Sequence, residues 1–166
     1  MGETSEITFR KMIAEDSDAV AEIEIKSFSL PWKRKDFFDM ANNKNAEYIV
    51  GILDEKIIAY AGAWIAFEEA EVMNIAVDPD FRGNGFGKKI FAELIRVCKL
   101  RGATAITLEV RPSNFAAVKL YESFGLKTVG RRKNYYDNPT EDALIMWNTS
   151  ITSDKPYNNQ LFISCL

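Results

Sequence analysis

The residues with the most chemical meaning lie between 74 and 89, where the chain reads Asn74-Ile75-Ala76-Val77-Asp78-Pro79-Asp80-Phe81-Arg82-Gly83-Asn84-Gly85-Phe86-Gly87-Lys88-Lys89. An apolar strand runs into a glycine-rich turn and then directly into a helix, a construction suited to holding an anion. Glycines at 83, 85 and 87 let the main chain approach closely and aim N–H groups at one spot, while the following helix adds its positive dipole end. Arg82, Lys88 and Lys89 crowd that end. Cations there oppose the dipole, so a multiply charged phosphate is expected among them. The spacing excludes two common phosphate loops. In a P-loop, Arg82 would have to be glycine and Lys89 would have to be Ser or Thr. In a dinucleotide fingerprint counted from Gly83, Lys88 stands where the third glycine belongs.

The chain contains no histidine, which removes the usual neutral-pH base and the commonest metal ligand together. Proton chemistry must therefore use carboxylate, tyrosine, water or amine. Glu109 lies in Ile106-Thr107-Leu108-Glu109-Val110-Arg111, with the aliphatic residues on one strand face and Glu109 on the other. On an open face it is a solvated charge. On a central strand covered on both faces, its burial is costly without a partner or a task, and would raise its pKa towards a general base's range. Tyr121 follows Asn114 by almost two helical turns, so both project from one helix face about 10 Å apart, within reach of one ligand. Asn114 also suits a helix cap, and Tyr121 borders an apolar stripe of Ala117, Leu120 and Phe124.

These residues need particular elements to position them. The pattern predicts a strand at 7–10 and a helix capped by Asp16 with Val20, Ile23 and Phe28 on its apolar face. A second helix follows Pro31-Trp32, carrying Phe37, Phe38 and Met40. Period-two alternation then gives strands from Tyr48 to Ile52 and Ile57 to Phe67, a hairpin tip at Glu68-Glu69, and a strand from Glu71 to Val77 that feeds the glycine turn. A helix over 86–101 ends at Gly102, a strand covers 105–110, and Asn114 starts a helix that Gly125 stops. Strands near 126–132 and 143–147 complete an α/β or α+β fold in three layers, with the glycine turn at a strand's carboxyl end. Residues 1–148 are expected to form one domain, with 149–166 as a tail that is flexible or docked.

The glycine turn, spelled Arg82, Gly85 and Gly87, resembles the pyrophosphate loop of the GCN5-related N-acetyltransferases (GNAT), which bind acetyl-coenzyme A. With it, Leu-Glu-Val-Arg-Pro-Ser-Asn at 108–114, Leu-Tyr-Glu-Ser-Phe-Gly at 120–125 and Arg-Arg-Lys-Asn-Tyr-Tyr at 131–136 resemble the bacterial ribosomal-protein-alanine N-acetyltransferases. The likeness runs from about residue 7 to 148; Lys133 is an extra residue within its element. It implies the GNAT fold, a mixed central sheet flanked by helices with the acetyl-CoA pyrophosphate loop between a central strand and a helix. It also implies that Ile75, Ala76 and Val77 hold the acetyl and pantetheine portion through main-chain groups, and that Arg82, Gly83, Asn84, Gly85, Phe86, Gly87 and Lys88 cradle the pyrophosphate. Asn114 would bind along the cofactor arm, Glu109 would accept a proton directly or through water, and Tyr121 would protonate the leaving thiolate. Trp32 falls on the acceptor side of the resemblance; Tyr135 and Tyr136 could wall a peptide slot there or be ordinary strand aromatics, and Glu71, on the cofactor strand near the expected site, is a reserve base.

The implied acceptor is the N-terminal amine of a ribosomal protein or peptide. Such an amine, with a pKa near 8, costs only about 1 kcal/mol to present neutral at pH 7, against roughly 4–5 kcal/mol for a lysine. One carboxylate then suffices, by direct attack in a ternary complex. A small amine or antibiotic as acceptor, or a non-catalytic acyl-CoA-binding module, are the alternatives, and the second would not need both Glu109 and Tyr121. At 166 residues and 47% hydrophobic content the chain can bury one core. A net charge of −3 makes no case for direct nucleic-acid binding and would suit a basic peptide. Only Cys98 and Cys165 occur, so no disulfide framework, nucleophile or metal set can be drawn. No apolar run reaches membrane-spanning length, and a cytoplasmic enzyme without a metal is expected. Oligomeric state is not legible in the sequence.

Overall fold

The computed structural model describes residues 6–151. In chain order these form β1 (Thr8–Lys11), α1 (Ser17–Ser27), α2 (Arg34–Ala41), β2 (Ala46–Leu53), β3 (Lys56–Ala66), β4 (Glu69–Val77), α3 (Phe86–Leu100), β5 (Ala105–Val110), α4 (Phe115–Ser123), β6 (Lys127–Tyr136) and β7 (Glu141–Asn148). The strands make one seven-stranded sheet in the order β1-β2-β3-β4-β5-β7-β6. Only β4 and β5 pair in parallel, with α3 crossing between them. This is the mixed, helix-flanked sheet that the sequence predicts.

Strand alternation divides the apolar residues between two faces. Ile49, Ile58, Ala61, Ile106, Leu108 and Val110 pack with Ile90, Phe91, Leu94 and Ile95 of α3 and with Tyr121 and Phe124. Tyr48, Val50, Tyr60 and Ala76 face the other way, against Val20 and Ile23 of α1 and Phe37 of α2. Gly62 is required where it pairs with Tyr48, because a Cβ there would lie 2.0 Å from the Tyr48 ring. The fully buried Tyr48 ring lies against bare β3 backbone.

Several local expectations shift for identifiable reasons. Asp16 occupies the first position before α1 but makes no cap bond there. Its carboxylate instead accepts from the Ile13 N–H at 2.9 Å and pairs with Arg10 at 2.6 Å. Phe28 falls beyond α1 and is 41% exposed, and Phe38 also faces solvent, so Phe37 supplies the buried ring of α2. The β3–β4 turn is Phe67-Glu68, with Phe67 at φ 54°. β6 continues to Tyr136, past its expected end, because the Lys133 region is taken up as a bulge between Arg132 and Tyr136. Asp142 pins that bulge by accepting from the Asn134 N–H at 2.9 Å and pairing with Arg131 at 3.2 Å.

Of the expected tail, Ile151 is buried in the α3 core and its N–H donates to the Thr104 carbonyl at 2.9 Å. Residues 152–166, including Cys165 and the apolar Leu161-Phe162-Ile163, lie outside the described residues. Among the described residues no helix is long and apolar enough to cross a membrane.

Candidate active site

β4 and β5 are hydrogen-bonded neighbours only through Glu69↔Ala105, Ala70↔Ile106 and Glu71↔Thr107. Past these pairs the strands diverge towards their carboxyl ends. The opening becomes a cleft of about 530 Å³ whose walls include Asn74 and Ile75 of β4, Leu108 and Glu109 of β5, Asn114 and Tyr121 of α4, and Tyr135 and Tyr136 of β6. An open sheet places its ligand crevice where neighbouring connections part in this way. The edge of β4 that faces the cleft can pair with an extended ligand as a further strand would.

The glycine turn stands at the end of the same strand. Gly83 and Gly85 adopt φ 80° and 76°, in the left-handed region, and a Cβ at either would meet nothing within 4 Å. Glycine is therefore needed for conformation, with open space beside it. Gly85 caps α3 without a side-chain bond and the first turn carries no acidic residue, so its leading N–H groups and dipole end are open to an anion. Those features fit a pyrophosphate. Burial lowers the pKa of Lys88. Arg82 turns back on the protein, its Nε donating to the Val77 carbonyl at 2.9 Å and its guanidinium to Ser27 Oγ at 3.0 Å. Asn84 similarly braces the turn through the Phe81 carbonyl at 3.0 Å. These side chains thus brace the loop from the protein side, a role beside the ligand contact that the resemblance implies for them. Phe86 and Val77 pack on the α3 core, and Ala76 is buried on the α1–α2 face.

On the opposite wall, Glu109 projects from the face away from Leu108 and Val110, as alternation requires. Its carboxylate pairs with Arg132 Nε at 2.6 Å, and the side chain is 17% exposed. The sequence left open a solvated charge or a covered carboxylate that needs a partner or a task; the structure supplies the partner from β6, twenty-odd positions away, whose identity the sequence did not give. Hydrogen bonding to Glu109, with burial, raises the pKa of Tyr135. Burial pushes the Tyr136 phenol up to about 12. Tyr121 is buried against Phe91, ring centroids 5.0 Å apart, and burial likewise raises its pKa. Its phenol therefore keeps its proton through the neutral range. Asn114 both lines the cleft and caps α4, accepting from the Ala117 N–H at 3.2 Å.

Glu71 is separated from the main cleft. It lines an adjoining hollow of about 240 Å³ with Trp64, Trp147 and Arg132, which meets the cleft at Leu108 and Glu109. Trp32 does reach the main cleft, from the segment joining α1 to α2. Cys98 is buried in the α3 core, where desolvation pushes its thiol up to about 12, so it is no nucleophile. Among the described residues no group of His, Cys, Asp and Glu could hold a metal ion.

Sequence reasoning missed Glu24, Arg111 and Arg132 as members of the site. Arg111 stacks over the Tyr136 ring at 4.3 Å and donates to the Pro139 and Asp137 carbonyls at 2.9 and 3.0 Å. Glu141 joins it at 3.3 Å and accepts from Ser113 N–H and Oγ, both at 2.8 Å. Glu24 carried one usable signal: it follows Val20 by four positions, a charge on the apolar face of α1.

The profile of the acetyltransferase (GNAT) family matches residues 17–126. A Bacillus subtilis protein provisionally named a [ribosomal protein bS18]-alanine N-acetyltransferase is 43% identical over 141 residues, covering 84% of this chain and 93% of that protein. The Salmonella typhimurium [ribosomal protein bS18]-alanine N-acetyltransferase is 39% identical over 135 residues, covering 79% and 89% respectively. The solved structure of the ribosomal-protein-S18-alanine N-acetyltransferase from Escherichia coli superposes with a TM-score of 0.81 at 33% identity, covering 92% of this chain and 99% of that one.

Proposed function

The chain belongs to the GNAT acetyltransferase family and is an acetyl-CoA-dependent N-acetyltransferase, and from that premise we propose that its acceptor is the N-terminal alanine amine of a ribosomal protein. The observation that carries this reading is the union of Glu109 and Tyr121 on one cleft that opens where β4 and β5 part, with the glycine turn at the end of β4. The ribosomal acceptor itself is drawn from the names of the relatives.

In this reading acetyl-CoA brings an activated acyl group, and the protein supplies binding, orientation and proton handling. The turn from Gly83 to Lys88 and the leading N–H groups of α3 take the pyrophosphate. Ile75, Ala76 and Val77 offer main-chain groups along the cleft edge of β4, and Asn114 faces the arm of the same ligand. Glu109 takes a proton from the acceptor amine, directly or through one water, while Arg132 balances the carboxylate's charge. Tyr121 keeps its phenolic proton at neutral pH and gives it to the departing sulfur. Tyr135, Tyr136 and Trp32 wall the acceptor side, and Glu71 attracts cationic groups of the peptide at the adjoining hollow. Neither an acetylated enzyme residue nor a metal has a part in this scheme. The setting is the cytoplasm.

The test compares acetyl transfer to a peptide with a free N-terminal alanine, a blocked peptide with an internal lysine, and a polyamine. Activity confined to the free alanine terminus is the expected result. Turnover of the polyamine alone would move the acceptor to small amines and remove the ribosomal assignment.

A further inference from the structure

Beneath the acceptor wall lies a buried carboxylate that the proton path above does not use. Glu24, on α1, is 3% exposed and reaches the cleft. Its Oε1 accepts from the backbone N–H of Trp32 at 3.1 Å, and its Oε2 accepts a short hydrogen bond from the Tyr60 hydroxyl. Beside it, Asn74 Oδ1 accepts from the Tyr48 hydroxyl at 2.7 Å. That bond turns Nδ2 the other way, where it is buried without a hydrogen bond of ordinary geometry yet favours the charge on Glu24.

All of these partners are neutral. A buried carboxylate held only by neutral donors is costly, and an apolar side chain on the same face of α1 would be simpler to accommodate. Burial accordingly raises the pKa of Glu24, with Tyr60, Trp32 and Asn74 pulling it back. The partners reveal a use. Trp32 belongs to the segment between α1 and α2, whose Phe28, Ser29 and Leu30 also line the cleft. Tyr60 lies on β3, and Asn74 precedes Ile75 on the β4 wall. One carboxylate thus bonds the acceptor-side segment to β3, the strand paired with the β4 wall.

We propose that Glu24 is a positioning residue: by taking the Trp32 N–H while bonded to the Tyr60 hydroxyl of β3, it holds the 28–33 segment at a set distance from the sheet, so that the acceptor amine meets the acetyl group in one geometry. The kinetic arm of the test rests on the proposed transfer to a peptide N-terminus; the exchange arm does not.

The experiment measures amide hydrogen exchange at Trp32 and steady-state kinetics on the alanine-terminated peptide, in wild type, Glu24→Ala, Glu24→Gln and Tyr60→Phe. In Glu24→Ala, exchange at Trp32 should quicken about tenfold or more and peptide KM rise about tenfold, the scale of one lost hydrogen bond to a charged group. The affinity for coenzyme A should stay within about twofold and kcat within about threefold, as expected when acceptor placement alone is loosened. Glu24→Gln should recover most of both effects, because its amide oxygen can still take the Trp32 N–H while the Tyr60 hydroxyl turns to accept. Unchanged exchange at Trp32 in Glu24→Ala overturns the proposal. So does a loss of kcat shared by Ala and Gln at unchanged KM, which would make Glu24 a proton acceptor. If Glu24→Ala does not fold, Tyr60→Phe decides: faster Trp32 exchange with a raised peptide KM supports the tether, and wild-type values for both overturn it. A wild type inactive on the peptide but with the exchange result intact overturns the acceptor assignment alone.

Discussion

The β6–β7 hairpin borders the cleft directly through Tyr135 and Tyr136, whereas the glycine turn stands at the end of β4, the strand whose Asn74 and Ile75 wall that cleft, and the two are held by different means. The turn depends on main-chain conformation: Gly83 and Gly85 in the left-handed region, a helix start left uncapped, and Arg82 and Asn84 folded back onto neighbouring carbonyls. The hairpin depends on side-chain bonds, some within it and some to Glu109, Arg111 and Ser113 outside it. Arg111 holds the carbonyls of Asp137 and Pro139, Glu141 receives Ser113, Asp142 fixes the bulge at Asn134, and Arg132 is drawn to Glu109. A ligand part shared by every substrate of a family can be gripped by backbone, which is indifferent to side-chain identity. A variable acceptor is better met by a frame of ion pairs that can be re-cut without disturbing the sheet.

That contrast can be broken or sharpened by measurement. The largest effect belongs to the acceptor wall: Glu109→Gln should lower kcat by about 10²–10⁴-fold, the range for loss of a positioned general base. Coenzyme A affinity by calorimetry should be unchanged, and a loss of both would erase the division between the halves. Next, Arg111→Ala removes hydrogen bonds from a charged donor, each worth about 1.5–3 kcal/mol, and should raise peptide KM by about ten- to a hundredfold. Gly85→Ala should do the reverse. Forcing a Cβ into φ 76° costs about 1–2 kcal/mol, so coenzyme A should bind roughly five- to thirtyfold more weakly while peptide KM holds.

A pH profile sharpens the comparison further. Burial raises the pKa of Tyr121 and holds Tyr136 near 12, so neither phenol should deprotonate between pH 7 and about 9.5. A falling alkaline limb within that interval would count against Tyr121 as the proton donor. The smallest effect lies outside both halves. Asp16 has its pKa lowered, first by the hydrogen bond from Arg10, so its folded value sits below the ordinary 3.8. Its contribution to stability is then complete above 3.8 and is lost as the pH falls through the lowered value. Asp16→Asn should flatten the acid end of a melting-temperature profile and leave both substrates' kinetics unaltered.

Much of the cofactor half was legible because its determinants are neighbours in the chain. The glycine spacing, the apolar run before it and the amphipathic pattern of α3 each encode local structure, and the order of strands and helices followed from periodicity. The acceptor half was legible only as a set of names: Trp32, Tyr135 and Tyr136 could be marked, but not the loops that aim them. Glu24 was one of two glutamates on α1, and nothing in its vicinity announced Tyr60 as a partner.

By itself, then, the sequence determined the elements, the glycine turn after β4 and the faces from which Glu109 and Tyr121 project, since short-range spacing fixes which side chains share a face or a turn; the proton roles proposed for those two came from the resemblance. Only the tertiary structure decided that β4 and β5 part after Glu71 and Thr107, that Arg132 answers Glu109, and that a buried Glu24 ties the Trp32 segment to the sheet. Those outcomes depend on partners brought together across the sheet by packing, where distance in the chain carries no information about distance in space.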